Sequence, residues 1–144
     1  MLQSIIVQID KIKVNKQFGD TAIYKPLLLL IIFNHVLNNG ENKFAFVEVK
    51  VQLQALMEKY GWSTFSRKKA QYPFFFLASS SLWKLNINEN NLKHPSSPSQ
   101  KEMETAIGRL DEKIYSYLST NPKSTQSIID FIKRKWSLNH VIEI

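Results

Sequence analysis

Tyr24-Lys25-Pro26-Leu27-Leu28-Leu29-Leu30-Ile31-Ile32-Phe33 is the stretch on which the fold turns. Proline suits the first turn of a helix, where its missing N–H has no partner to lose. The residues after it are apolar on every side, which marks a central helix buried on most of its faces. Asn38, Asn39 and Gly40 supply its end. The run from Pro26 to Phe33 is far shorter than the roughly 20 residues needed to cross a bilayer, so it reads as a core helix and not as a span.

Outward from this helix, Leu2, Ile5, Ile6, Ile9 and Ile12 recur at helical spacing and predict an amphipathic helix over 2–14. Lys16–Thr21, with Gly19 and Asp20, reads as a loop. On the other side, Phe44 and Phe46 alternate with Lys43 and Ala45 as a short strand, and Val49, Leu53, Leu56, Met57 and Tyr60 return to helical spacing. A loop is expected over 62–71. Tyr72–Leu77 is aromatic and strand-prone, and Leu82, Trp83, Leu85 and Ile87 give a second strand, so the two are expected to pair as a hairpin around Ser79–Ser81. The stretch 88–100 is polar, with Pro95 and Pro98, and reads as a linker. Three short helices are expected after it: one opened by Pro98 and ended by Gly108, one carrying Ile114, Tyr117 and Leu118, and one capped by Asn121 with Pro122 at its first position. The expected class is α+β, mainly α with a small antiparallel β element, arranged as a winged-helix-like domain with a β-hairpin. Residues 1–144 are expected to form one domain.

The bulk composition narrows the function. Basic residues number 19 against 12 acidic ones, giving +7, which favours a polyanionic partner, either nucleic acid or an anionic membrane surface. There are no cysteines, so disulfides, thiol catalysis and cysteine-based zinc sites are excluded. The amino-terminal segment does not read as a signal peptide, because Asp10 interrupts its apolar pattern. A cytoplasmic location, with no membrane association, is the expectation. His35, His94 and His140 share no metal-site spacing, and no phosphate-cradling glycine loop, nucleophile elbow or H-E-x-x-H motif is present. His35 reads as a satisfied boundary histidine. Asp111 and Glu112 are adjacent, which turns them to different sides of a helix. No catalytic residue, metal or cofactor is expected.

The basic and aromatic residues are more informative. Tyr24 and Lys25 precede Pro26 at a predicted helix N-terminus, where first-turn N–H groups and the helix dipole favour an anion. Arg67, Lys68 and Lys69 form a cation run followed by Gln71, suited to backbone contact with a base-edge reader beside it. Lys133, Arg134 and Lys135 read as the solvated face of the last helix.

Taken together, Tyr24-Lys25-Pro26-Leu27-Leu28-Leu29-Leu30, Tyr72-Pro73-Phe74-Phe75-Phe76-Leu77 and Leu82-Trp83-Lys84-Leu85 resemble the sulfur-binding domain of phosphorothioate-dependent, HNH-type restriction endonucleases. The likeness runs from about residue 18 to the last helix. It implies binding of double-stranded DNA in which sulfur replaces a non-bridging phosphate oxygen, with the sulfur seated in a shallow apolar cup. By the resemblance, Tyr72 and Pro73 form part of that cup, Phe76 lies near it, and Tyr24 and Lys25 contact the modified phosphate and neighbouring bases. Family members often carry histidine with arginine or lysine at that pair; here Tyr24 takes the first place, and Lys25 keeps the charge without arginine's bidentate fork. The resemblance also implies a nuclease effector, attached or separate, because no HNH motif occurs in this chain. Two other readings stand beside it: a winged-helix sequence reader with no preference for sulfur, and a protein-interaction domain that uses Phe74, Phe75 and Phe76 as its surface.

Overall fold

The fold is that of a computed structural model, which describes residues 1–14, 16–17, 20–21, 23–60, 69–87, 92–93 and 98–141. The leucine-rich run forms the hub of the molecule. Helix α2 (Tyr24–Leu37) begins two residues ahead of Pro26, and every residue from Leu27 to Phe33 is at most 6% exposed. Such all-round burial requires neighbours on all sides. They are α3 (Phe46–Tyr60), α4 (Gln71–Phe76), α5 (Glu112–Ser119) and α6 (Pro122–Lys135). Helix α1 (Leu2–Asp10) packs on α6 through its buried Ile5 and Ile9 face and stops short of the predicted residue 14. A small antiparallel pair, β1 (Lys16–Gln17) with β2 (Asp20–Thr21), lies between α1 and α2 in sequence, inside the stretch expected as a loop.

The α+β class is as expected, but the sheet is built from other partners. Among the described residues a three-stranded antiparallel sheet has the order β3 (Phe44–Ala45), β5 (Ile107–Leu110), β4 (Trp83–Asn86). Tyr72–Leu77 is therefore not a strand. It is the short helix α4 followed by a 3₁₀ turn (Leu77–Ser79), and the expected hairpin of 72–77 with 82–87 does not form. Aromatic β-propensity loses here to burial: α4 packs on α2, and its Phe74 is fully buried with its ring edge against Phe46 at 5.2 Å. Pro73 is compatible with the helix because it sits in the first turn.

The helix expected from Pro98 to Gly108 is also corrected. A cap not expected from the sequence is present at Ser99, one residue after Pro98: the Ser99 Oγ accepts from the Glu102 N–H at 3.1 Å, and Glu102 Oε1 accepts from the Ser99 N–H at 3.0 Å, a reciprocal capping box. Only a turn follows, and the chain then enters β5 as the central strand. Gly108 is a sheet residue opposite both Phe44 and Leu85. A Cβ there would lie 1.9 Å from Cζ2 of Trp83, so only glycine lets the indole lie across the strand. Trp83 in turn donates from Nε1 to the Phe74 carbonyl at 3.0 Å, tying the sheet to α4. The predicted helices at 114–118 and after Asn121 are present as α5 and α6. Leu92 and Pro98, in the stretch read as a linker, are buried.

Candidate nucleic-acid interface

The head of α2 places Lys25 where the sequence predicts an anion site. Tyr24 beside it is 9% exposed and turns into the core. Lys25 is half-buried, and its ammonium donates to the carbonyl of Lys13 at 3.0 Å. Burial pulls its pKa below the ordinary lysine value, because a charge removed from water costs free energy that one carbonyl does not fully return.

Helix α4 splits its aromatic residues between two faces. Pro73 and Phe74 point inward. Tyr72, Phe75 and Phe76 are half-exposed and lie at i, i+3 and i+4, hence on one side. Their rings form a connected surface, with Tyr72 and Phe76 centroids 6.2 Å apart and Phe75 and Phe76 edge-to-face at 5.1 Å. Lys69, just before the helix, holds its ammonium 5.7 Å from the Tyr72 ring centroid. Gln71 is 6% exposed, and its Oε1 has no hydrogen-bond partner among the described residues; contact with a base edge would require the side chain to turn outward. Arg67 and Lys68 lie outside the described residues.

One cleft borders this surface and a second adjoins the first. The first, of about 460 Å³, is lined by Phe75, Phe76, Trp83, Lys84 and Leu85 together with the 78–80 backbone region. The other, of about 500 Å³, lies between the end of α1 and the 3₁₀ turn, with Lys11 and Lys13 on one wall and Ser79–Ser81 on the other. Ser79 and Ser80 belong to both clefts and form the ridge between them. The Lys25 ammonium thus meets the carbonyl of Lys13, a residue of the second cleft, and that cleft shares Ser79 and Ser80 with the one beside Phe76. Lys11, Lys13 and Lys84 were not singled out in the sequence as site residues, and Phe75 was named only as part of a protein-interaction surface. The signals for them were present: two lysines at a helix end, and a lysine inside the Leu82-Trp83-Lys84-Leu85 motif.

Other sequence candidates prove structural. His35 Nε2 lies 2.9 Å from the Glu41 carbonyl, and its ring meets Phe44 at 4.8 Å, the satisfied boundary role expected of it. Asp111 caps α5 by accepting from the amides of Lys113 and Ile114. Lys135 pairs with Asp10 at 2.6 Å and so ties α6 to α1. His94 lies outside the described residues. Among the described residues no group of His, Asp or Glu side chains could hold a metal ion, and no helix is long and apolar enough to cross a membrane.

A half-exposed aromatic face bordered by lysines suits a polyanion with apolar features, the kind of surface a nucleic-acid-binding module presents. More specifically, the chain belongs to the family of ScoMcrA-like DNA sulfur-binding domains, whose profile matches residues 2–141. It resembles in fold the sulfur binding domain of ScoMcrA complexed with phosphorothioated DNA, at 17% identity and TM-score 0.83 over 96% of this chain and 90% of that one. The sulfur binding domain of SprMcrA complexed with phosphorothioated DNA is similar at 16% identity and TM-score 0.75, over 96% and 87%. The Type IV phosphorothioation-dependent restriction endonuclease ScoMcrA matches at 18% identity and TM-score 0.78, covering 92% of this chain but 29% of that one. No curated protein matches the sequence.

Proposed function

We propose that this chain binds DNA at a phosphorothioate linkage, as the recognition module of a modification-dependent restriction system. The observation that carries the reading is the Tyr72–Phe76 aromatic face with the Lys69 ammonium 5.7 Å from the Tyr72 ring, in a chain of the DNA sulfur-binding family. Sulfur is larger, softer and less hydrated than oxygen. Moving it against aromatic carbon costs less desolvation and gains more contact than moving oxygen there. The linkage still bears a negative charge, which neighbouring lysines neutralise. Tyr72 and Phe76 line the sulfur seat; Pro73, buried on the inward face of α4, takes part only if binding uncovers it. Lys25 holds the phosphate, and Tyr24 shapes the head of α2 around it. Arg67, Lys68 and Lys69 set backbone affinity, and Gln71 reaches a base edge once turned outward. A preference for sulfur of a few kcal/mol is reasonable, since base-level contacts are each worth about 1–3 kcal/mol.

Residues 1–144 act as one binding unit in the cytoplasm, where the DNA is, and cleavage belongs to a nuclease effector that is either joined to it or separate. The test is the affinity of Tyr72→Ala and Lys25→Ala variants for duplexes with and without one phosphorothioate. Each variant should lose the preference for sulfur. If both retain it, the site assignment is wrong.

A further inference from the structure

We propose that the cleft between the end of α1 and the 3₁₀ turn holds a second, unmodified phosphate of the DNA, so that neutralisation of the backbone is separated from recognition of sulfur. This rests on the phosphorothioate reading above and extends its footprint. Lys11 and Lys13 are exposed on one wall, and among the described residues neither has an ion-pair partner and no carboxylate lines the cleft. The nearest acid in sequence, Asp10, is occupied by Lys135 and does not compete for them.

The opposite wall is fixed in place. The Ser81 hydroxyl donates to Gln8 Oε1 and so bridges from the turn to α1. Ser79 and Ser80 donate to the carbonyls of Phe76 and Leu77 at 2.9 and 2.8 Å. With those hydroxyl hydrogens committed, the ammonium groups supply the attraction for an anion. The cleft also continues the proposed sulfur site in both directions: the Lys13 carbonyl carries the Lys25 ammonium, and the serine ridge is shared with the cleft beside Phe76. A strand with its modified linkage at Tyr72 and Lys25 therefore meets these two lysines with a neighbouring phosphate.

The experiment measures the salt dependence of binding for the whole chain and its Lys11→Gln/Lys13→Gln variant, on matched duplexes with and without one phosphorothioate. The control variant, Lys113→Gln/Lys123→Gln, loses the same charge from exposed positions on α5 and α6. The slope of log affinity against log salt should fall by about one unit in the first variant, as expected for one lost phosphate contact, and stay unchanged in the control. The ratio of sulfur to oxygen affinities should persist. A neutral methylphosphonate beside the modified linkage should weaken the wild type and leave the variant unaffected. An unchanged slope in the first variant, or an equal fall in the control, overturns the second-phosphate site. If the wild type shows no sulfur preference while the slope still falls, the phosphorothioate reading fails and the cleft stands as a DNA contact.

Discussion

The ammonium of Lys25 donates to the carbonyl of Lys13 at 3.0 Å, which moors the cation at the head of α2 to the chain leaving α1. The bond leaves Lys25 half-buried, and burial lowers its pKa. Two trends of opposite sign follow. The unfolded chain holds this proton more tightly than the folded one, so between the folded and the unfolded pKa stability rises with pH. Over the same alkaline window the folded protein loses the charge that meets the phosphate, so DNA affinity falls. Lys25→Arg, which stays protonated, should flatten the decline in affinity. Dissociation constants measured from neutral to alkaline pH, for both proteins, check this.

Of the three consecutive phenylalanines, Phe74 and Phe76 should behave differently. Phe74 is fully buried against Phe46 and Trp83, whereas Phe76 is half-exposed beside Tyr72. Phe74→Ala should cost about 3–5 kcal/mol of stability. Phe76→Ala should cost much less and should reduce the preference for sulfur. Urea denaturation alongside duplex competition separates the two effects.

Gly108→Ala should destabilise the domain by about 1–3 kcal/mol, because its methyl would displace the Trp83 indole from its place across β5 and strain the bond from Nε1 to Phe74. The variant's thermal midpoint reads this directly.

Asp111→Ala should cost about 1 kcal/mol by leaving the Lys113 and Ile114 amides without their cap. Asp10→Asn breaks the exposed pair with Lys135 and should change stability by less than about 1 kcal/mol. Chemical denaturation ranks the two.

The helical core was readable from the chain because its signals are local. Pro26 and the leucines after it set α2, and the period of Val49, Leu53 and Leu56 set most of α3. The sheet was not readable, since its central strand pairs residues far apart: Gly108 with Phe44 and Leu85. Read alone, Gly108 resembled a helix end, and only the indole lying over it explains the glycine. Tyr72–Phe76 misled for a related reason. Aromatic residues favour strands only as far as a sheet is there to receive them, and here α2 offers a helix-packing face instead. At the candidate site, Lys25 and the Tyr72 motif stood out by composition. Lys11 and Lys13 did not, because they join the site through a backbone carbonyl and a fold-level approach of α1 to the 3₁₀ turn.

The most direct measurement is a competition between two duplexes of one sequence that differ by a single non-bridging atom, sulfur or oxygen, at one phosphate. If an aromatic seat next to lysine charge is what this molecule uses, the sulfur-bearing duplex should displace the other at well below equal concentration. Equal competition by the two would contradict the account and leave a basic DNA-binding fold without a chemical preference.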